Sequence, residues 1–320
     1  MKDTEYTFAV ARIRVNETRL MDRQQLNAAI GAADYADCTR RLREYGYDFS
    51  LGDAGALRGR TDAMWELLQS VLPDPHGLDS LLVKNDFHNL KVLLKALVSE
   101  SDPDGLYLTP SIYDPEALRP LVYERKNDAL PLPLQHADRS AYSILTKTRF
   151  AQLGDSVIDR AALEWQIKLA EKADHPVLSE LAEADAALTD IKILYRCVLT
   201  GKAPSFMRRA VCACKAFDKE AAIEAADAGM DPLLSFLHYT PYADAVSALT
   251  ESASAFEKYC DDRRLSILAA GKSEAFGILP LAAYYYAVQT EVMNVRILLA
   301  AKKNGLPEEK IRERMRTPYV

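Results

Sequence analysis

The sequence predicts an all-α protein of three similar helical domains, and three observations lead to this fold class. Glycine is sparse, with 13 in 320 residues, which is well below the usual share of roughly 7%. Apolar residues recur every three or four positions, as in helices with one buried face, and no alternating pattern of useful length predicts a strand. The chain also repeats itself with a period of about 103 residues, far longer than the roughly 20–50 residues of solenoid repeats.

Apolar spacing and proline positions predict where helices run. Phe87, Leu90 and Leu94 share one helix face, because residues three or four apart lie above one another. Residues 276–290 form an uncharged run that includes Pro280. This run is shorter than the roughly 20 apolar residues that cross a bilayer. It therefore predicts a buried helix and no membrane span.

A six-residue motif carries the repeat. Residues 89–94 (NLKVLL), 190–195 (DIKILY) and 294–299 (NVRILL) each begin with a short polar residue, followed by an aliphatic residue, a cation and an apolar run. Gly201 and Gly305 each follow the first residue of their motif by 11 positions. Glycine is favoured just after a helix because it accepts a positive φ. Both glycines are therefore predicted to end their helices.

Other landmarks keep the same period and predict domain boundaries. Residues 60–65 resemble residues 160–165, since each segment begins with arginine and ends with tryptophan. We expect three domains at residues 1–106, 107–209 and 210–320, the last containing the C-terminal helix. Three similar domains can close into a pseudo-threefold ring, and a row of three is the alternative arrangement.

Charge and cysteine content restrict the function and the compartment. The chain has 40 basic and 46 acidic residues, a net charge of −6, so no strongly basic field is available to bind nucleic acid. Five cysteines, an odd number without C-x-x-C spacing, are typical of a reducing compartment. The first residues show no signal-peptide pattern. We expect a cytosolic protein that binds no nucleic acid.

The search for reactive groups finds few candidates. Gly271, Lys272 and Ser273 superficially resemble a phosphate loop, but Ser266 stands where that loop needs its first glycine, so a helix-ending glycine is the preferred interpretation. The five histidines lack zinc-ligand spacing, and no G-x-S-x-G motif occurs. Glu291, at the edge of the apolar run, is predicted to be a helix-start carboxylate. The sequence thus predicts no catalytic residue, no cofactor and no metal.

A cationic segment closes the chain. Pro307, with acids directly after it, predicts the start of a last helix. Residues 302–316 hold six cations and three acids, which fits either a solvated helix face laced with i,i+4 pairs or a docking face for an acidic partner. The candidate docking residues are Lys302, Lys303, Arg312, Arg314 and Arg316, with Arg12, Arg14 and Glu17 as weaker candidates.

Three segments resemble one known family. Residues 291–314 closely resemble the C-terminal signature of the C subunit of V-type (A-type) ATPases, a family whose eukaryotic vacuolar members are called d subunits. Residues 11–21 resemble that family's opening helix, and residues 85–91 resemble its first internal copy of the motif. The resemblance extends over the whole chain and is loosest in its middle part, up to Cys212 and Cys214.

The resemblance implies a specific fold and function. Members are all-helical, with three similar domains around a pseudo-threefold axis in a funnel-like arrangement. One copy sits on the cytoplasmic face of the membrane, as a peripheral part of the complex, against the rotor ring of proteolipid subunits. Its cavity receives the central shaft, made of the D and F subunits, and it passes torque between head and ring. The family has no catalytic residue, and the transported ion, the direction of operation and the ring stoichiometry are set elsewhere.

Two alternatives stay open at this point. The first is a helical-repeat scaffold of another complex, which differs from the rotor component in its partners. The second is a small-molecule enzyme that uses Lys272 and nearby carboxylates, which predicts nucleotide or metal binding by the isolated chain.

Overall fold

Regular secondary structure is helical throughout the residues that the computed structural model describes, 3–148 and 151–320, which confirms the predicted all-α class. Within these ranges, β-type backbone pairing is limited to one isolated antiparallel bridge between Cys214 and Phe217. Short 3-10 turns occur at Asp3–Tyr6, Asn127–Ala129 and Ala269–Lys272. The α-helices are α1 Thr7–Glu17, α2 Arg23–Ile30, α3 Tyr35–Glu44, α4 Gly52–Val71, α5 Asp79–Ser99, α6 Pro115–Tyr123, α7 Leu132–Thr148, α8 Ala151–Lys172, α9 Pro176–Leu199, α10 Pro204–Ala210, α11 Lys219–Ala228, α12 Met230–Leu237, α13 Ala245–Glu251, α14 Ala253–Leu268, α15 Leu279–Lys303 and α16 Glu308–Arg314.

The helices form two compact units. The terminal unit combines the chain up to Gly77 with Ser247–Val320, and the central unit is Leu78–Val246. Both ends of the sequence therefore contribute to one core. The three sequence domains with boundaries after residues 106 and 209 remain a prediction.

The terminal unit is organised around α15. This helix is buried along most of its length and contacts α1, α3, α4, α14 and α16. The uncharged run predicted to be a buried helix does form one, beginning at Leu279, with Pro280 in the first turn. Proline is tolerated there because the first backbone N–H groups of a helix have no intrahelical acceptor.

The central unit packs α5 and α7 against α8, while α9 lies against α8, α10 and α11. The predicted apolar stripe on α5 is part of its core, where Phe87, Leu90 and Leu94 meet Leu134 of α7 and Ile158 of α8. Burial of such side chains removes apolar surface from water, which is the main favourable contribution to folding.

Several predicted helix ends are confirmed. Gly201 and Gly305 follow α9 and α15 with φ of +61° and +63°. This backbone region favours glycine, because a Cβ atom would crowd the following carbonyl. Pro307 is the N-cap residue of α16, and Glu308 and Glu309 occupy its first turn, where the helix dipole favours negative charge.

Candidate interaction site

Two of the predicted docking cations, at the end of α15, bind other parts of the terminal unit. Lys302 donates from Nζ to the carbonyl oxygen of Ala32 at 2.5 Å. Lys303 pairs with Asp53 at 2.7 Å and lies over the ring of Tyr35, 5.0 Å from its centroid. Such contacts hold the end of α15 against the N-terminal helices.

Two further predicted docking cations are also used inside the terminal unit. Arg312 pairs with Glu308 one turn earlier at 2.5 Å and donates to Asn27 of α2 at 2.5 Å. Arg316 is only 7% exposed, and its Nε donates to Asp261 of α14 at 2.8 Å. The solvated-face interpretation therefore describes the Arg312–Glu308 pair well, while Arg316 is a buried structural cation.

Arg314 differs from the other four candidates. Its side chain is exposed and makes no hydrogen bond or ion pair with the described residues. It lines a groove of about 450 Å³ formed by α14, α15 and α16. Arg296, the cation of the third sequence motif, is exposed on the same groove and is likewise unpaired among the described residues.

The rest of the groove is mainly apolar. Met293, Ile297 and Leu306 are half-buried along it, and Glu257 of α14 contributes a carboxylate. Apolar side chains with a few charged groups are typical of surfaces that bind protein partners. The docking candidates taken from the sequence do not include Arg296. The sequence feature that could have identified Arg296 is the cation that stands between two aliphatic residues at this position in each copy of the motif.

The N-terminal helix α1 presents a second exposed face. Phe8, Arg12 and Val15, spaced to share one side of the helix, are exposed, with Phe8 at 67% and Val15 at 58%. Arg12 therefore remains a candidate for an external contact.

Arg14, another weak candidate, faces inward. It pairs with Glu17 at 2.8 Å and donates to the carbonyl oxygens of Gly271 at 2.5 Å and Glu274 at 2.8 Å. These bonds hold the 3-10 turn Ala269–Lys272 that follows α14. Gly271 lies inside this turn and not at the end of a helix, which corrects the sequence interpretation; a Cβ atom at this position would come within 3.0 Å of the Ala283 Cβ on α15. Lys272 lies over the ring of Tyr319, 4.7 Å from its centroid.

Glu291 corrects a sequence interpretation. The sequence predicts it at a helix start, but it lies in the middle of α15 and is 7% exposed. Its carboxylate accepts from the Met21 N–H at 2.6 Å, the Tyr47 hydroxyl at 2.9 Å and Arg60 Nε at 2.9 Å. A buried carboxylate is tolerated when a cation and further donors surround it. Burial, together with the charge of Glu291, raises the pKa of Tyr47 well above its ordinary value.

The first residue of each sequence motif binds a peptide group downstream. Asn89 donates to the carbonyl oxygen of Leu108 at 3.0 Å and accepts from its N–H at 2.8 Å. Asn294 makes the same two bonds to Arg316, at 3.1 and 2.8 Å. Asp190 accepts from the Cys212 N–H at 2.9 Å. The first residue of the motif thus fixes a downstream backbone segment, which follows α5 in the first copy, α10 in the second and α16 in the third.

The described residues hold no group of three or more histidine, cysteine or acidic side chains arranged to bind a metal ion. Burial raises the pKa of Cys212 to about 12 and that of Cys214 to about 11, so both thiols stay protonated near neutral pH. Within the same part of the chain, no helix combines the length and apolarity needed to cross a bilayer.

Known proteins match the chain nearly from end to end. The family model of the ATP synthase (C/AC39) subunit matches residues 9–314. The C subunit of the V-type sodium ATPase of Enterococcus hirae is 27% identical over 260 residues, covering 80% of this chain and 79% of that protein. The C subunit of the V-type ATP synthase of Thermus thermophilus is 22% identical over 329 residues, covering 98% of this chain and 99% of that protein.

Proposed function

This chain belongs to the ATP synthase (C/AC39) subunit family, and we propose that it is the non-catalytic central-stalk subunit of a prokaryotic V-type ATPase. In this role it is a socket that couples the central shaft, made of the D and F subunits, to the membrane proteolipid ring. It transmits torque for ATP-driven ion transport or for ATP synthesis. The observation that carries the proposal is the family match over residues 9–314.

The internal contacts of the terminal unit suit a part that transmits torque. Close-packed helices resist deformation because their interiors leave few voids. In this unit, polar bonds add to the packing: Glu291 joins α15 to α4 and to the segments around Met21 and Tyr47. Arg316 joins the C-terminal segment to α14. The bonds to Glu291 span most of the sequence length and oppose sliding of α15.

The proposal includes the threefold organisation expected from the sequence, a funnel of three similar domains at residues 1–106, 107–209 and 210–320. Its support is the repeated motif, whose first residue binds a downstream peptide group at Asn89, Asp190 and Asn294. Three such devices at one sequence period favour a shared ancestral unit over chance similarity of aliphatic helices.

We propose that the five docking candidates have two different roles, direct contact with the partner and support of the contact surface. We propose that Arg314, with Arg296 on the same groove, contacts an acidic surface of the shaft directly. Since Lys302, Lys303, Arg312 and Arg316 already bind other residues of the unit, their contribution is to hold that surface in place. Unpaired surface cations speed association and select partners more than they raise affinity.

In this proposal one copy acts per complex, peripheral to the membrane at its cytoplasmic face. Titrating the purified chain with the purified D and F subunits of the shaft by calorimetry tests the proposal, and we expect saturable binding at one to one. A parallel titration with ATP and magnesium is expected to give no binding heat, whereas the small-molecule enzyme alternative requires it. Absence of binding to both the shaft and the proteolipid ring would favour a scaffold of another complex.

A further inference from the structure

The second copy of the sequence motif carries an acid where the other two carry an amide. Asn89 and Asn294 each form a two-way clamp: the side-chain oxygen accepts from a backbone N–H, and the side-chain nitrogen donates to the carbonyl of the same residue. An ionised carboxylate cannot reproduce this pattern because it only accepts hydrogen bonds, whereas a protonated carboxyl group can also donate one.

The surroundings of Asp190 leave one of its oxygens without a partner. The side chain is fully buried on α9, and Oδ1 accepts from the Cys212 N–H at 2.9 Å. Oδ2 is buried and has no hydrogen-bond partner among the described residues. This oxygen corresponds to the amide nitrogen that, in the other two clamps, donates to a carbonyl. A buried acceptor without a donor is strongly unfavourable when it carries charge.

Charged groups around Asp190 come from the elements packed on α9. Lys219 of α11 acts on it electrostatically, but its Nζ donates to the carbonyl oxygens of Val211 and Arg208. The Cys212 and Cys214 thiols face the acid from the segment after α10, and Glu164 of α8 acts on Cys212. The charged side chains of α10 and α12 lie at the surface: Arg208, Arg209 and Asp231.

We propose that Asp190 is a proton-dependent latch: it is held as a neutral carboxylic acid whose Oδ2–H donates to the Cys212 carbonyl, and its ionisation opens the clamp on the segment between α10 and α11. Burial raises the pKa of Asp190 to about 8, which agrees with a proton retained at neutral pH. The folded pKa lies above the ordinary value of 3.8. The stabilisation is therefore complete below that value and is lost as the pH rises through about 8.

Thermal unfolding from pH 5 to 9, with Asp190→Asn as the main variant, tests the latch. The amide keeps both bonds without a titrating group. We expect the melting temperature of the variant to exceed that of the wild type by several degrees at pH 9, with the difference shrinking steadily toward pH 5. If the melting temperatures of the variant and the wild type differ by the same amount at all pH values, or do not differ, the proposal is overturned.

The reverse substitution is the matched test and remains informative if Asp190→Asn fails to fold. Asn294→Asp places an acid in a clamp that has an amide, so we expect a new loss of melting temperature at alkaline pH. A direct readout is the carbon-13 resonance of the Asp190 carboxyl group in the full chain, which we expect to titrate near pH 8. Titration near the ordinary aspartate value would contradict the proposal.

Discussion

The guanidinium group of Arg60 on α4 donates to the buried carboxylate of Glu291 on α15 at 2.9 Å, across 231 positions of sequence. Within the terminal unit this pair joins the N-terminal part of the chain to its C-terminal part. Because Glu291 also accepts from Met21 and Tyr47, its charge is compensated from three directions. Removal of one partner, which leaves the other charge buried and unpaired, is therefore expected to lower stability strongly.

Removing the cation tests this expectation. Arg60→Leu should lower the free energy of unfolding by about 3 kcal/mol, because it leaves a buried carboxylate without its counter-ion. Arg40→Leu is the control, since Arg40 pairs at the surface with Asp37 at 2.6 Å and with Glu44 at 2.8 Å, and each such pair contributes about 1 kcal/mol or less. Urea unfolding of both variants in one buffer gives the comparison. Equal losses of unfolding free energy in the two variants would contradict the expected cost of leaving Glu291 buried without its counter-ion.

The two-way clamp of Asn294 leads to a second prediction. Asn294→Ala removes the hydrogen-bond partners of the Arg316 backbone N–H and carbonyl, which are then unsatisfied. A loss of about 2–4 kcal/mol is expected, because each unsatisfied buried group costs about 1–3 kcal/mol. Asn304→Ala is the matched control, as Asn304 is exposed and its side chain donates to the Ala300 carbonyl one turn earlier. Similar losses in the two variants would argue against the clamp.

Asp86 of α5 gives a prediction for the pH dependence of stability. Burial raises its pKa to about 7, while the Tyr113 N–H donates to it at 2.9 Å. Since the folded pKa exceeds the ordinary value of 3.8, its stabilisation is complete below that value and is lost as the pH rises through 7. Asp86→Asn should therefore lose less stability than the wild type between pH 5 and pH 8, as measured by urea unfolding at each pH.

The control for Asp86 is an exposed aspartate. Backbone and side-chain hydrogen bonds from Ser50 lower the pKa of Asp48, so its small contribution is lost only as the pH falls below the ordinary aspartate range. Asp48→Asn should leave the slope of stability between pH 5 and pH 8 unchanged. If Asp86→Asn behaves like Asp48→Asn, the carboxyl group of Asp86 is not protonated at neutral pH.

Charge reversal on the groove tests the proposed docking face. Arg314→Glu combined with Arg296→Glu should weaken binding to the shaft at least tenfold at low salt, and by less at high salt, because screening reduces the electrostatic part. Lys310→Glu is the control, since Lys310 lies on the same short helix and pairs with Glu313. Arg312→Glu is also expected to weaken assembly, but it breaks contacts to Glu308 and Asn27 as well. If the double variant binds the shaft with unchanged affinity at low salt, the groove is not part of the interface.

Local chemistry explains which parts of the structure were predictable. The ends of α9 and α15 follow from Gly201 and Gly305, and the start of α16 follows from Pro307, because each residue acts on its own backbone. The buried helix from Leu279 follows from its uncharged composition. These features need no knowledge of the tertiary structure.

Contacts distant in sequence were not predictable in the same way. The position of Glu291 at the edge of the uncharged run suggests a helix start, whereas its role depends on Arg60, Tyr47 and Met21 from the other end of the chain. From the sequence, Lys302 is expected to be a surface cation, whereas in the structure its Nζ donates to the carbonyl oxygen of Ala32. A single sequence contains no signal for such pairs.

Affinity purification of the tagged chain from its native membranes, followed by mass-spectrometric identification of the bound proteins, tests the central claim most directly. We expect recovery of the D and F subunits of the shaft, the proteolipid ring and the ATP-binding head. Recovery of a different, defined complex that lacks both the shaft and the ring would contradict the proposed role in the central stalk.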